Sequence, residues 1–255
     1  MKKIVSKGRM NIGEGGFSLV IQGNNNTIIN GMIMKDCTKG EGKREEKQLN
    51  VKGSKDIVID GIFEVNINIT NEEEGIIINT FENIMPLIDI KKEGKILKIS
   101  YKECVVNPET IISINVKELE GISSSGVVST EIKTEKELKI DDFYVALSGT
   151  SNCKMEGKIS FEDLQIYVSG TSSLEMKGKG VVNDLEIDVS GSSRVKLLDT
   201  LIESAEVDVS GTSKLFINAK YIEGDVSGIS KVYYIRKNLI DVDVDIDGLS
   251  EIINI

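Results

Sequence analysis

The sequence predicts an all-β protein: a right-handed parallel β-helix of roughly 20-residue coils preceded by a β-sheet or sandwich-like region. Three observations lead there. The phrase Ser-Gly-x-Ser recurs through the second half, at Ser148-Gly149-Thr150-Ser151, Ser169-Gly170-Thr171-Ser172, Ser190-Gly191-Ser192-Ser193, Ser210-Gly211-Thr212-Ser213 and Ser227-Gly228-Ile229-Ser230. A partial copy opens the series at Ser125-Gly126 and another closes it at Asp247-Gly248-Leu249-Ser250. When the copies are aligned on glycine, the positions at even offsets are nearly all apolar: Val168, Val189 and Val209 before it, Leu174, Val195 and Leu215 after it. Such a period of two places those side chains on one face of extended chain. Finally, the apolar content is Ile, Val and Leu, with no Trp, aromatics at 5% and only 2 Pro, a strand-favouring composition.

In chain order, residues 1–34 read as a β-hairpin segment. Phe17 to Ile21, Thr27 to Ile29 and Met32 to Met34 are short apolar runs, separated by Gly23-Asn24-Asn25-Asn26 and by Asn30-Gly31. Asn-Gly is a strong hairpin signal. Residues 35–48 (KDCTKGEGKREEKQ) are charged and aperiodic, which predicts an exposed loop or linker. Residues 49–118 contain several strands. In one, Phe63, Val65, Ile67 and Ile69 alternate with Glu64, Asn66 and Asn68, and Lys92-Glu93-Gly94-Lys95 has hairpin-turn chemistry. The β-helix then occupies residues 119–255, with about six or seven coils.

The motif has a structural reading without chemistry. Glycine permits a sharp corner. The serine two positions on (Ser151, Ser172, Ser193, Ser213, Ser230) lies in phase with the core. Stacked on neighbouring coils, these serines are expected to form an internal ladder in which each polar group finds a partner.

Composition narrows the function classes. The formal net charge is −10 and the pI about 4.8, which argues against nucleic acid, whose binding rests on cations neutralising phosphates. No apolar run approaches the roughly 20 residues of a membrane-spanning helix, so membrane insertion is not expected. Met1-Lys2-Lys3 is followed by no apolar segment of about 7–15 residues. The 3 cysteines are odd in number and lack metal-like spacing. Both features predict a cytoplasmic, reducing location for the chain as written. No His is present, so a serine nucleophile lacks its usual base, and no catalytic residue or cofactor is assigned.

The alternating strands followed by Val-Ser-Gly-(Thr/Ser)-Ser, at Val168 to Ser172, Val189 to Ser193 and Val209 to Ser213, resemble the bacterial family described as "putative auto-transporter adhesin, head GIN domain". The resemblance covers about residues 50–255. It implies a right-handed β-helix-like fold, adhesion or cell-surface interaction, and no catalytic residues. Members of the family commonly look exported or lipid-anchored, whereas this sequence has no evident leader.

Two further features bear on binding. Three positions before glycine stand Asp188, Asp208, Asp225 and Asp245, a column that could offer carboxylates to Ca²⁺. Three after it stand Arg194, Lys214 and Lys231, which could compensate those acids across the corner. A solvated polar face is the preferred reading of both. At the end of the stack Ile229 and Leu249 replace the hydroxyl residue beside the corner glycine, and Ile252 and Ile255 close the chain. These residues are candidates for an end interface, through which the protein could form a homo-oligomer. The sequence therefore describes a non-enzymatic module presenting coil faces to a protein or glycan partner. A self-assembling scaffold is one alternative, and a carbohydrate-active β-helical enzyme a more distant one.

Overall fold

The computed structural model describes residues 37–255 and, before them, the backbone of four strands, Gly8–Gly13, Gly16–Gly23, Asn26–Ile29 and Met32–Lys35. Those four pair consecutively and antiparallel. The Asn30-Gly31 turn and the reading of residues 1–7 as lacking a leader lie outside the described residues.

The protein is a parallel β-solenoid of about 6 turns of roughly 21 residues, with 64% of residues in strands. Each repeating coil has a long strand leading to the Ser-Gly-x-Ser corner and a shorter one leaving it. The long strands are Leu138–Leu147, Ile159–Val168, Val181–Val189, Leu201–Val209, Ala219–Val226 and Asp241–Ile246. The short ones are Asn152–Glu156, Ser173–Lys177, Arg194–Lys196, Lys214–Ile217, Lys231–Tyr234 and Glu251–Asn254. Every coil pairs in parallel register with the next, so Val168 lies beside Val189 and Leu174 beside Val195. All-parallel sheets usually read as unbroken hydrophobic runs because both sides are covered. Here the outer side meets water, which is why the strands alternate.

The alternation slips once inside each long strand except the last, Asp241–Ile246. In Ile159–Val168 the buried residues are Ile159 and Phe161, then Leu164, Ile166 and Val168, with exposed Glu162 and Asp163 between them. Two successive polar residues turn the chain by a further corner, so a coil has a lead-in run, a long-strand face and a short-strand face. Inside, Ile187, Val207, Val195 and Leu215 are 0–1% exposed. Full burial of each such side chain contributes about 1.5–3 kcal/mol.

The solenoid starts one coil earlier than the repeat alone indicates. Strand Asp56–Ile69 lies in register against Gly121–Thr134 along its whole length, from Asp56 beside Gly121 to Ile69 beside Thr134, with Gly61 beside Gly126. The chain between these two coils forms a cap. Ile96–Tyr101 and Ile111–Val116 pair in parallel with Asp56–Ile69 on its outer edge. Ile88–Glu93 and Gly75–Phe81 then pair antiparallel outside them. The region read as a separate sheet is thus the first coil plus its cap.

Two expectations from the sequence change. Residues 35–48 are not wholly a loop: Arg44–Leu49 forms an outer strand against Gly75–Phe81, and Thr38–Lys39 pairs with Val105–Val106. The charged composition that suggested a linker belongs to an edge strand, almost entirely exposed, where charge discourages pairing with other chains. Cys37 and Cys104 form a disulfide, with Cα atoms 4.7 Å apart and a sequence separation of 67. Cys37 and Cys104, whose spacing offered no partner in sequence, are paired because the fold brings distant cysteines together. Cys153 is the free cysteine among the described residues and is buried in the core.

The corner glycines form one column through Gly61, Gly126, Gly149, Gly170, Gly191, Gly211, Gly228 and Gly248. At Gly191 φ is +74°, and an added Cβ would sit 2.5 Å from the carbonyl oxygen of Gly170 on the coil before. Through the same corner Ser192 N–H donates to Gly170 O and Thr212 N–H to Gly191 O, both at 2.8 Å. Glycine is therefore required twice, for its φ and for the approach of the next backbone. Gly191→Ala is expected to cost about 2–4 kcal/mol. Gly53→Ala, at φ +76° with nothing within 4 Å of the new methyl, should cost only about 1 kcal/mol. Thermal melts of the two variants decide the point; equal losses would contradict the close-approach account.

Candidate functional site

The corner serines point inward. Ser151, Ser172, Ser193, Ser213 and Ser230 are 0–2% exposed. Their contacts differ from a chain of hydroxyl-to-hydroxyl bonds. The backbone N–H of Ser151 donates to Ser172 Oγ (3.3 Å), that of Ser193 to Ser213 Oγ (3.4 Å), and that of Ser213 to Ser230 Oγ (3.3 Å). Ser151 Oγ donates to Ser148 O at 2.7 Å. Among the described residues none of these hydroxyls bonds a lysine or a carboxylate, so nothing here activates a nucleophile. The preceding serines (Ser148, Ser169, Ser190, Ser210, Ser227) continue the coil-to-coil backbone bonding, as in Ser190 N–H to Val168 O at 2.9 Å.

The outward positions of the long strands form an acidic face. One column runs Asp142, Asp163, Asp184, Ser204, Tyr221, Asp241, and the next Tyr144, Gln165, Glu186, Glu206, Glu223, Asp243. The third runs Ala146, Tyr167, Asp188, Asp208, Asp225, Asp245. None of these positions holds a lysine or arginine. Neutral residues relieve the crowding at Glu186, which accepts hydrogen bonds from Tyr167 Oη (3.0 Å) and Gln165 Nε2 (3.1 Å). Partial burial, and then the carboxylate of Asp208 beside it, hold the Asp188 carboxyl above its ordinary range. A groove of about 1040 Å³ borders this face near Asp142 and Tyr144, where Lys55 bridges Glu118 and Glu120.

The expected compensation across the corner does not occur. Asp188, Asp208, Asp225 and Asp245 lie on the long-strand face, whereas Arg194, Lys214 and Lys231 lie on the short-strand face. Lys231 pairs instead with Glu251 on its own face, at 2.7 Å. The aspartates are stacked in register, yet no group of three or more His, Cys, Asp or Glu residues converges as a metal site among the described residues. The slip that separates the lead-in run from the long-strand face was visible as paired polar residues, such as Glu162-Asp163, but reads as noise until the coils are stacked.

At the end of the stack, among the described residues, the last coil pairs with the coil before it and with no strand on its other side. Ile229, Leu249 and Ile255 are 54%, 73% and 54% exposed, and Ile252 is half-buried against the core. Among the described residues no helix is long and apolar enough to cross a membrane.

The fold is shared with known proteins. Residues 48–237 match the family described as "putative auto-transporter adhesin, head GIN domain", and the chain belongs to that family. A Bacteroides fragilis protein named "putative adhesin" has a similar structure: TM-score 0.76 at 19% identity, over 85% of this chain and 99% of that one. A "putative adhesin" from Parabacteroides merdae gives a TM-score of 0.71 at 19% identity, over 86% and 98% of the two chains. A Parabacteroides distasonis protein named "putative lipid binding protein" gives 0.61 at 18% identity, over 85% and 98%. At these identities the likeness is one of fold. No curated protein matches the chain.

Two tests follow. Because the Asp188 carboxyl titrates above its unfolded value, its protonated form is favoured by folding, and that stabilisation is lost as pH rises through the raised value. Asp188→Asn should therefore raise stability at pH 7 by a few tenths of a kcal/mol up to about 1, and the gain should vanish below the ordinary Asp range. Melting curves at pH 7 and pH 3 compare the two. Burial pushes the Cys153 thiol up to about 12. Native protein should then take no thiol label, unfolded protein one, and unfolded, reduced protein three; native labelling at Cys37 or Cys104 would contradict the disulfide.

Proposed function

We propose that this protein is a non-enzymatic binding module, adhesin-like, which presents its coil faces to a protein or glycan partner outside the reducing cytoplasm. The observation that carries the reading is the sorting of charge by face. Carboxylates stack coil upon coil on the long-strand face with no cation among them, while the ion pairs of the repeats lie on the other sides. Stacked like charges are unfavourable to the fold itself, so their persistence over successive coils supports an outward role. A face of this kind prefers basic or neutral surfaces and repels acidic ones. The Cys37–Cys104 disulfide supports an oxidising location. Family membership, and the names of the structurally similar proteins, are consistent with adhesion. The absence of His from the chain, and repeats that never break into a cluster of unlike polar groups, weigh against catalysis.

The experiment uses a lysine-rich peptide and a glutamate-rich peptide as probes. The basic probe should bind, weaken steeply with salt, and lose at least tenfold in affinity when Asp188, Asp208, Asp225 and Asp245 are all changed to Asn. The acidic probe should not engage this face. An unchanged affinity in the fourfold variant would remove the acidic face as a binding surface. Turnover of a polysaccharide that an Asp→Asn change abolishes would overturn the non-enzymatic reading.

A further inference from the structure

The short-strand face carries its own pattern, distinct from the acidic one. Its outward columns are Asn152, Ser173, Arg194, Lys214, Lys231, Glu251 and Lys154, Glu175, Lys196, Phe216, Tyr233, Ile253. Most charges here are matched within the face. Lys154 pairs with Glu156, Lys177 and Lys196 with Glu175 (3.5 and 3.4 Å), and Lys231 with Glu251 (2.7 Å). Arg194 and Lys214 are the exception: among the described residues neither has an ion-pair or side-chain hydrogen-bond partner. They are nevertheless directly opposite one another on adjacent strands, where like charges are destabilising. In a chain of net charge −10, with carboxylates to spare one corner away, two stacked cations without a counterion call for an external anion.

The surroundings specify the anion further. Arg194 and Lys214 border a shallow groove of about 350 Å³, whose wall includes Thr171, Ser173, Ser192 and Thr212. Thr171, Ser192 and Thr212 are exposed beside the corner glycines and can donate or accept. Next to Lys214 and Lys231, the Phe216 and Tyr233 rings stack at 4.5 Å with planes 8° apart, giving a firm half-buried apolar rail. Hydroxyls, an apolar rail and cations repeating along the coil axis at about 4.8 Å match a chain bearing hydroxyls, C–H faces and regularly repeated acidic groups.

We infer that the short-strand face around Arg194 and Lys214 binds an acidic glycan, its carboxylates or sulfates pairing with the two cations and its hydroxyls with the Ser/Thr column. Arg194 supplies the fork that takes a carboxylate or sulfate through two parallel bonds. This assignment rests on the reading of the protein as a binding module and names the ligand of one face.

The test measures binding of the full chain to polygalacturonate, heparin, neutral dextran and vesicles containing anionic phospholipid, by isothermal titration at low and physiological salt. Binding of polygalacturonate or heparin, but not dextran, is expected; the response to the two distinguishes carboxylate from sulfate. R194S/K214S should weaken it at least tenfold, while R194K/K214R retains it and E73Q, at an exposed turn remote from both faces, leaves it unchanged. Equal binding to dextran, or full affinity in a folded R194S/K214S variant, overturns the assignment while leaving the binding-module reading intact. Binding to the vesicles but to neither acidic polysaccharide also overturns it, in favour of a lipid surface. Shortening of a bound polysaccharide overturns the non-enzymatic reading instead and leaves the cation pair assigned.

Discussion

Everything in this molecule hangs on how closely one corner can lie on the next. The backbone N–H beside each corner glycine donates to the glycine carbonyl of the coil before it, from Thr150 on Gly126 to Leu249 on Gly228, at 2.7 and 2.8 Å. Coil-to-coil bonding therefore runs round the bend. A side chain on the glycine would enter that space. With the corner fixed, the phase of each strand is fixed too. The even positions fall into the core, and the odd ones become columns free to carry any chemistry.

That freedom explains the contrast between the faces. An outward column influences its neighbours above and below and little else, so charge can accumulate on one side of the solenoid without disturbing the other. The long-strand side became acidic. The short-strand side kept matched pairs and then, at Arg194 and Lys214, departed from matching. The interior shows no such drift: Val189, Val195, Ile202, Leu215 and Ile217 are all 0% exposed.

The repeat was legible because its constraint is local. Glycine with serine on either side recurs at the same place in successive coils from Gly149 to Gly228, which can therefore be read without a structure. Gly61 was not, because its neighbour in the column, Gly126, lies beyond the whole cap, and Asp60-Gly61-Ile62-Phe63 lacks the serines. The pairing of Cys37 with Cys104 was hidden for the same reason: nothing nearby in sequence records a contact 67 residues away. The strand Arg44–Leu49 was missed through composition, since an exposed edge need not alternate. Of the candidate site, the aspartate column was visible, but its separation from Arg194 and Lys214 depended on which side of the corner each strand faces.

The cap inserted between the first and second coils also bears on the order of assembly. Coils from Leu138 onward meet partners about one repeat away in sequence, whereas Asp56–Ile69 must find Gly121–Thr134 across the entire cap. Closing that longer loop costs about 1 kcal/mol more than closing a single coil, and distant contacts slow folding. Stacked repeats can nucleate anywhere and propagate between neighbours. The repeats toward the C-terminus are thus the natural seed. The first coil and its cap, fastened by the Cys37–Cys104 pair, depend on the contacts most distant in sequence, and so carry the largest closure cost in the stack.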